Sequence, residues 1–143
     1  MKQVIEGVAF DNLTLDEAVC AGAELVRSSG FHYVVTPNPE FILLARQDPE
    51  FLRLLNGADL TIPDGIGVIY AAKLLGRPLK GRVPGIDFAS GLMAALEQSG
   101  GARVYLLGAK PGVAEEAMAS LSARYPGLTF CGCGDGYFKD DAE

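Results

Sequence analysis

Two short β-branched runs in this chain each end at a proline, and a polar residue and a helical pattern follow each proline. The first run covers residues 32–36 and meets Pro37-Asn38-Pro39, and the second covers residues 59–62 and meets Pro63-Asp64-Gly65. Runs of this kind predict buried strands, and proline cannot continue the hydrogen bonding of a central strand. Strands that hand over to helices in this way predict an α/β fold of the Rossmann-like kind.

The two junctions also predict a site. The carboxyl ends of neighbouring parallel strands converge on one crevice, where open α/β sheets bind their ligands. Thr36, Asn38 and Asp64 would therefore lie close together, with Asp64 able to act as a general base toward a hydroxyl. Two simpler interpretations stay open: Pro63-Asp64-Gly65 is also a turn signal, and Asn38 is also a good helix cap.

The remaining pattern alternates strands and helices. It predicts one domain over residues 1–143, with a mostly parallel sheet flanked by helices. The capping box Thr14-x-x-Glu17 predicts a helix that Gly30 ends. The predicted strands cover residues 4–10, 32–36, 59–62, 103–107 and 128–131, and further helices begin at Pro39 and Pro49 and cover residues 66–75, 86–98 and 113–125.

Composition and charge exclude several classes. The chain is 49% hydrophobic and 21% charged, which excludes a disordered polypeptide. A net charge of −6 argues against nucleic-acid binding. The amino terminus lacks the pattern of a signal peptide, and Lys73 interrupts the most apolar run, so we expect a cytoplasmic protein. Three cysteines without partner ligands fit small, half-buried side chains better than a metal or redox site.

Two segments have the character of anion sites. Gly108-Ala109-Lys110 joins a predicted strand to a helix, where backbone N–H groups, the helix dipole and the lysine would favour a phosphate. Arg82 lies in a glycine-rich loop and could bind a diphosphate with its planar fork, although most such arginines are solvated. With one histidine and no Asp-x-Asp, the sequence predicts no metal site and no cofactor.

Five motifs, in this order, resemble the WecG/TagA/CpsF glycosyltransferases (glycosyltransferase family 26), and most closely the TagA branch that acts in wall teichoic acid synthesis. The resemblance covers essentially the whole chain. The motifs are TPNPE at 36–40, ADLTIPDGIG at 58–67, RVPGID at 82–87, LLGA at 106–109 and GDGYF at 134–138.

The resemblance implies an inverting, metal-independent transfer of N-acetylmannosamine from a UDP donor. The acceptor would be the 4-hydroxyl of N-acetylglucosamine on undecaprenyl diphosphate. Asp64 matches the family's proposed base, and Arg82 would meet acceptor or donor phosphates. The assignments implied for the other residues are Thr36, Asn38 and Gly65 for substrate and Gly108, Ala109, Lys110, Gly136 and Tyr137 for UDP.

The end of the chain departs from the family pattern. Residues 139–143 are mostly acidic and follow GDGYF as if opening a further helix, so we expect a chain that lacks its C-terminal part. In the family that part is basic and is thought to complete the active site and to contact the inner face of the membrane. The resemblance also implies a homo-oligomer, with the apolar helices at 39–55 as candidate interface.

Three rival functions stay open at this point. A family member could use another donor, such as UDP-N-acetylmannosaminuronic acid or a UDP-hexose. The crevice could also belong to a non-catalytic module that binds nucleotide sugars. A nicotinamide-binding domain is disfavoured, because no Gly-x-Gly-x-x-Gly follows the first predicted strand.

Overall fold

The computed structural model describes residues 1–137, which form two compact units. Unit 1 covers residues 1–92, and unit 2 begins at residue 93. The strands are β1 (Lys2–Ile5), β2 (Val8–Asp11), β3 (Val34–Val35), β4 (Leu60–Thr61), β5 (Arg103–Leu107) and β6 (Thr129–Gly134). The helices are α1 (Leu15–Arg27), α2 (Pro39–Gln47), α3 (Pro49–Asn56), α4 (Ile66–Leu74), α5 (Gly85–Gln98) and α6 (Val113–Arg124).

The α/β class and its parallel strand pairing are confirmed. β3 pairs with β4, and β5 pairs with β6, in both cases in parallel. Each of these pairs is joined through intervening helices, as parallel strands require. That the whole chain forms a single catalytic domain stays a prediction.

The predicted first strand over residues 4–10 is wrong in one respect, because an antiparallel hairpin of β1 and β2 takes its place. The chain turns at Glu6 and Gly7, both with positive φ. Gly7 adopts this conformation without strain, whereas Glu6 is an uncommon residue there. Glu-Gly is not one of the usual hairpin pairs such as Asn-Gly or Asp-Gly, so the sequence signal for a turn was weak.

The first helix begins as predicted but ends earlier. Thr14 and Glu17 form the reciprocal capping box at the start of α1. At the other end, Ser28 is the cap, and its hydroxyl donates to the carbonyl of Leu25 at 2.8 Å. Gly30, the predicted end, lies beyond this cap. Serine can close a helix by bonding the preceding turn, which makes a C-terminal glycine unnecessary here.

The two proline-stopped strands are shorter than predicted, but the parallel hydrogen bonding passes beyond them. Ile62 N donates to the carbonyl of Val35 at 3.0 Å, and Asp64 N donates to that of Pro37 at 3.1 Å. The strands lie between two apolar clusters of unit 1. One cluster is built around the β-hairpin, α2 and α4, and the other around α1, β4 and the start of α5. The junctions are therefore fixed on a packed scaffold.

In unit 2, β6 continues three residues past its predicted end at residue 131. Its pairing with β5 shifts register after Val104, and Cys131 is the extra residue on the β6 side. Gly132, with φ +156°, then lies against the ring of Tyr105. Because glycines interrupt the apolar pattern of a strand, the sequence did not show that pairing resumes beyond the bulge.

Candidate functional site

Asp64 lies at the carboxyl end of β4, half-buried, and two backbone contacts fix it. Its own N–H extends the parallel pairing to Pro37, and its carboxylate oxygen Oδ2 accepts from the N–H of Gly85 at 3.0 Å. Gly85 is the first residue of α5, so the carboxylate faces the positive end of that helix. Within residues 1–137 no hydrogen bond engages Oδ1, which leaves this oxygen for a ligand.

Thr36 and Asp64 border the same small space, as the two junctions predicted. A methyl group added at Gly85 would lie 3.3 Å from Thr36 Oγ1 and 3.5 Å from Asp64 Oδ2. The missing side chain of Gly85 therefore opens the space in which a hydroxyl could meet both groups. Gly85 was not assigned a role from the sequence, although it lies within the RVPGID motif, because a glycine gives no chemical signal of its own.

Asn38 serves as a helix cap, which was one of its two interpretations. Its side-chain Oδ1 accepts from the N–H groups of Glu40 and Phe41, at 2.9 and 3.1 Å. This fixes the orientation of the amide, and its Nδ2 is the group that remains for a substrate. Gly65 lies directly beside it, because a methyl group at Gly65 would be 3.7 Å from the Cβ of Asn38.

Gly65 occupies a position that favours glycine. Its φ is +139°, and an added methyl group would come within 3.1 Å of Cδ of Pro39. Both the backbone conformation and the close approach therefore disfavour a larger residue. The result is that Asp64 is followed by a sharp turn into α4, with the carboxylate held at the mouth of the junction.

Arg82 is exposed, and the backbone of the next residue, Val83, fixes its position in the chain next to the Asp64 turn. Val83 is fully buried, and its N–H donates to the carbonyl of Pro63 at 2.9 Å. This bond anchors the glycine-rich loop next to the Asp64 turn. The guanidinium of Arg82 makes no ion pair with any described residue, so it is available for an anion.

The residues predicted for UDP lie in unit 2, and three of them come together. Gly108 N donates to the carbonyl of Gly134, and Gly136 N donates to that of Ala109, each at 3.0 Å. Ala109 has φ +64°, an uncommon conformation for a residue with a side chain. Strained turns of this kind cluster at binding sites.

This turn opens into a groove of about 440 Å³ that β5 and α6 line. Lys110 and Tyr137 are exposed, and Tyr137 N donates to the side chain of Asp135 at 2.8 Å. No side chain caps the start of α6, and Glu115 and Glu116 in its first turn already complement the helix dipole. Phe138 and residues 139–143, part of the predicted motif and the acidic end, lie outside the described residues.

A second polar cluster in unit 1 contains the only histidine. His32 Nδ1 contacts Asp59 Oδ1 at 2.9 Å, and its Nε2 contacts Ser28 Oγ at 2.8 Å. The Ser28 hydroxyl donates to Leu25, so it accepts from the imidazole and is not poised as a nucleophile. The hydrogen bond to Asp59 raises the pKa of His32, and the same bond lowers the pKa of Asp59. This cluster links α1 to the start of β3 and β4.

Two kinds of feature are absent from residues 1–137. No helix there combines the length and the apolar character that crossing a membrane requires. No group of three or more His, Cys, Asp or Glu side chains is arranged there to hold a metal ion.

Proteins from two bacteria are similar in sequence to this chain. A protein of Bacillus spizizenii is 38% identical over 111 residues, which cover 78% of this chain and 43% of that protein. One of Staphylococcus aureus is 34% identical over 132 residues, which cover 88% and 50%. Both are named N-acetylglucosaminyldiphosphoundecaprenol N-acetyl-beta-D-mannosaminyltransferase. The chain thus spans about half the length of these curated relatives.

The match to a family model is more extensive. The model described as the glycosyl transferase WecG/TagA/CpsF family matches residues 3–143, which is nearly the whole chain and includes every predicted site residue. This chain therefore belongs to the WecG/TagA/CpsF family of glycosyl transferases.

Proposed function

We propose that this chain carries the acceptor and donor sites of a transferase for wall teichoic acid linkage units. It would move N-acetylmannosamine from UDP-N-acetylmannosamine to the 4-hydroxyl of N-acetylglucosaminyl-diphospho-undecaprenol. The names of the two relatives support this choice of sugar and acceptor. The observation that carries the proposal is the Asp64 carboxylate, held by Gly85 beside Thr36 with one oxygen left for a ligand.

In the proposed reaction, Asp64 acts as general base. Its Oδ1 accepts the proton of the acceptor hydroxyl while the hydroxyl oxygen forms a bond to the anomeric carbon of the donor. The bond from that carbon to the UDP oxygen breaks, and UDP leaves with the electron pair. Attack opposite to the leaving group inverts the configuration, which gives a β-linkage from an α-linked donor. Thr36 Oγ1 and the Asn38 amide are placed to orient the acceptor sugar.

Departing UDP requires compensation of its growing negative charge. The proposed groups in unit 2 are the ammonium of Lys110 and the backbone N–H of Ala109, since the N–H of Gly108 already donates to the carbonyl of Gly134. Lys110 is exposed and makes no ion pair with a described residue. In this scheme no metal or cofactor takes part, and Arg82 meets the acceptor diphosphate with its fork of donors. We expect the reaction at the inner face of the cytoplasmic membrane.

The experiment is a transfer assay with a panel of UDP-sugars. The protein in its complete reading frame would be incubated with N-acetylglucosaminyl-diphospho-lipid and each donor in turn, and the products identified by mass spectrometry and by the anomeric coupling in NMR. We expect UDP-N-acetylmannosamine to give the fastest turnover and a β-1,4 disaccharide. The uronic acid and hexose donors should be slower by about tenfold or more, because a site built to bind a particular polar group rejects analogues that lack it.

Two results would contradict the proposal. Faster transfer from another donor would replace the sugar and keep the reaction class. UDP binding without transfer to any lipid-linked acceptor would assign the chain to a non-catalytic module.

A further inference from the structure

The charge of the chain is unevenly distributed around Asp64. The whole sequence has 18 acidic and 12 basic residues, yet residues 65–86 contain no Asp or Glu. The cations of this segment are Lys73, Arg77, Lys80 and Arg82. An acidic protein therefore has a segment with four cations and no carboxylate side chain, and it begins directly after the proposed catalytic carboxylate.

The helix in this segment, α4, is apolar on two sides. Val68 and Ala72 are fully buried and face the core of unit 1. Ile66, Tyr70 and Leu74 follow one another at intervals of four residues, so they form one stripe about 12 Å long. These three side chains are 54%, 66% and 88% exposed. A soluble helix normally carries polar residues on its outer side, so this stripe calls for an apolar partner.

The apolar surface continues to the mouth of the site. Ile66 is two residues after Asp64, and Ile86 follows Gly85, the residue whose N–H binds the Asp64 carboxylate. Ile86 is 74% exposed. The two exposed isoleucines thus lie in the first turns of α4, which follows Asp64, and of α5, whose first N–H binds the carboxylate.

Two cations of the segment are free to meet a partner. Lys80 forms an ion pair with Glu17 at 2.7 Å, and Arg77 donates to the carbonyl of Val4. Lys73 and Arg82 are exposed and make no ion pair with any described residue. Lys73 is three residues after Tyr70 and therefore borders the stripe.

We propose that the stripe formed by Ile66, Tyr70 and Leu74, together with Ile86, docks on the surface of an anionic lipid bilayer. Apolar side chains beside lysine and arginine are the chemistry that enters the boundary between headgroups and acyl chains. The inference rests on the proposed function, because a lipid-linked acceptor must present its sugar at that boundary. The docked stripe brings the mouth of the Asp64 site to the acceptor, so that Lys73 meets the anionic headgroups and Arg82 meets the acceptor diphosphate.

The charge pattern favours a bilayer over a second copy of this chain. Another copy would carry the same net charge of −6 and the same cationic segment, so a symmetric contact through the stripe would place like charges together. An anionic membrane repels the acidic remainder of the chain and attracts this segment. The electrostatics therefore orient the protein with the Asp64 site toward the lipid.

The test is co-sedimentation with vesicles, without any donor sugar. We expect the protein to sediment with vesicles of 70% phosphatidylcholine and 30% phosphatidylglycerol at low salt, and far less with pure phosphatidylcholine. The double variant Tyr70→Ser/Leu74→Ser should lower the partition coefficient by about tenfold or more, since it removes two apolar side chains. Lys73→Gln should lower it only for the anionic vesicles.

Matched controls use exposed residues elsewhere in unit 1. Val26 and Phe31 are 51% and 86% exposed at and beyond the end of α1, so Val26→Ser/Phe31→Ser also removes two apolar side chains and should leave partitioning unchanged. Arg27→Gln, on the exposed end of α1, is the control for Lys73→Gln. Circular dichroism would verify that all variants fold, as exposed positions lead us to expect.

The outcomes distinguish a lipid bilayer from a second copy of this chain as the partner of the stripe. Unchanged vesicle binding of Tyr70→Ser/Leu74→Ser, or an equal loss of vesicle binding in the matched apolar control variant, overturns the proposal. A stripe variant that keeps its partitioning but changes from oligomer to monomer in light scattering assigns the stripe to a second copy. Transfer to a short-chain, water-soluble acceptor tests the proposed function separately, and the stripe variant should retain it.

Discussion

At the scale of single residues, the site depends on Gly85, which has no side chain. Gly85 provides the N–H that binds Asp64, and its lack of a Cβ leaves open the space beside Thr36. A methyl group there would approach the Cγ2 of Thr36 to 3.2 Å, which is closer than ordinary van der Waals contact. The residue therefore orients the base without itself taking part in chemistry.

Gly85→Ala is expected to reduce transfer with little change in stability. Alanine suits the first turn of a helix, so the thermal midpoint should stay close to that of the wild type. The methyl group should displace Thr36 and the bound hydroxyl, which lowers kcat/KM by about tenfold to a hundredfold. Gly81→Ala is the matched control, because a methyl group at Gly81 meets no atom within 4 Å. Equal activity of the two variants would contradict this role for Gly85.

Much of the residue-level site was predictable. The proximity of Thr36, Asn38 and Asp64 followed from the rule that parallel strands end at one edge, and the structure brings them together. The capping by Asn38 also followed from its place before Pro39. The contact from Gly85 did not, because it joins Asp64 to a residue 21 positions away, beyond α4 and the glycine-rich loop that follows it.

At the scale of elements, the link between α1 and the β3–β4 pair is pH-dependent. Asp59 accepts from the His32 ring and from the N–H of Tyr33 at 3.0 Å, while His32 also contacts Ser28 at the end of α1. Hydrogen bonding to Asp59 raises the pKa of His32 above its ordinary value of 6.5. The bond from His32 lowers the pKa of Asp59 below 3.8. Both shifts favour the charged pair in the folded state.

The sign of the pH effect follows from these two directions. The contribution of His32 is complete below pH 6.5 and is lost as the pH rises through its raised pKa. The contribution of Asp59 is present above pH 3.8 and is lost as the pH falls through its lowered pKa. The link should therefore stabilise the fold most between these values.

Urea unfolding of the wild type and of His32→Gln checks this prediction. The difference in their free energies of unfolding should be largest near pH 5.5 and should shrink as the pH rises above 6.5. Both side chains are partly exposed, so the effect should also weaken in high salt. A difference that stays constant from pH 5 to pH 9 would show that the ring acts by packing alone.

Element boundaries were harder to predict than element types. Every predicted helix is present, and so is the parallel pairing of residues 34–35 with 60–61. The hairpin at Glu6-Gly7 was missed because Glu-Gly is a weak turn signal, and the bulge at Cys131 was missed because register depends on the partner strand. Such features arise from tertiary pairing, which one segment does not encode by itself.

At the scale of the whole molecule, a cationic segment and an exposed apolar stripe follow directly after one candidate site residue, Asp64. The overall charge is −6, while residues 65–86 carry only cations, and α4 within that segment presents an apolar stripe. In the proposed reaction, unit 1 holds the acceptor and unit 2 holds UDP. The family match extends over both units, which supports assigning both tasks to one chain.

The central claim is that Asp64 is the base of the transfer reaction. The decisive measurement is kcat for Asp64→Asn in the complete reading frame, with UDP binding measured in parallel by calorimetry. Asparagine keeps the size and can still accept the bond from Gly85, so folding and UDP affinity should be preserved, whereas kcat should fall by about a hundredfold or more. Asp16→Asn, an exposed carboxylate on α1, should have normal turnover. Near-normal turnover of Asp64→Asn would contradict the account.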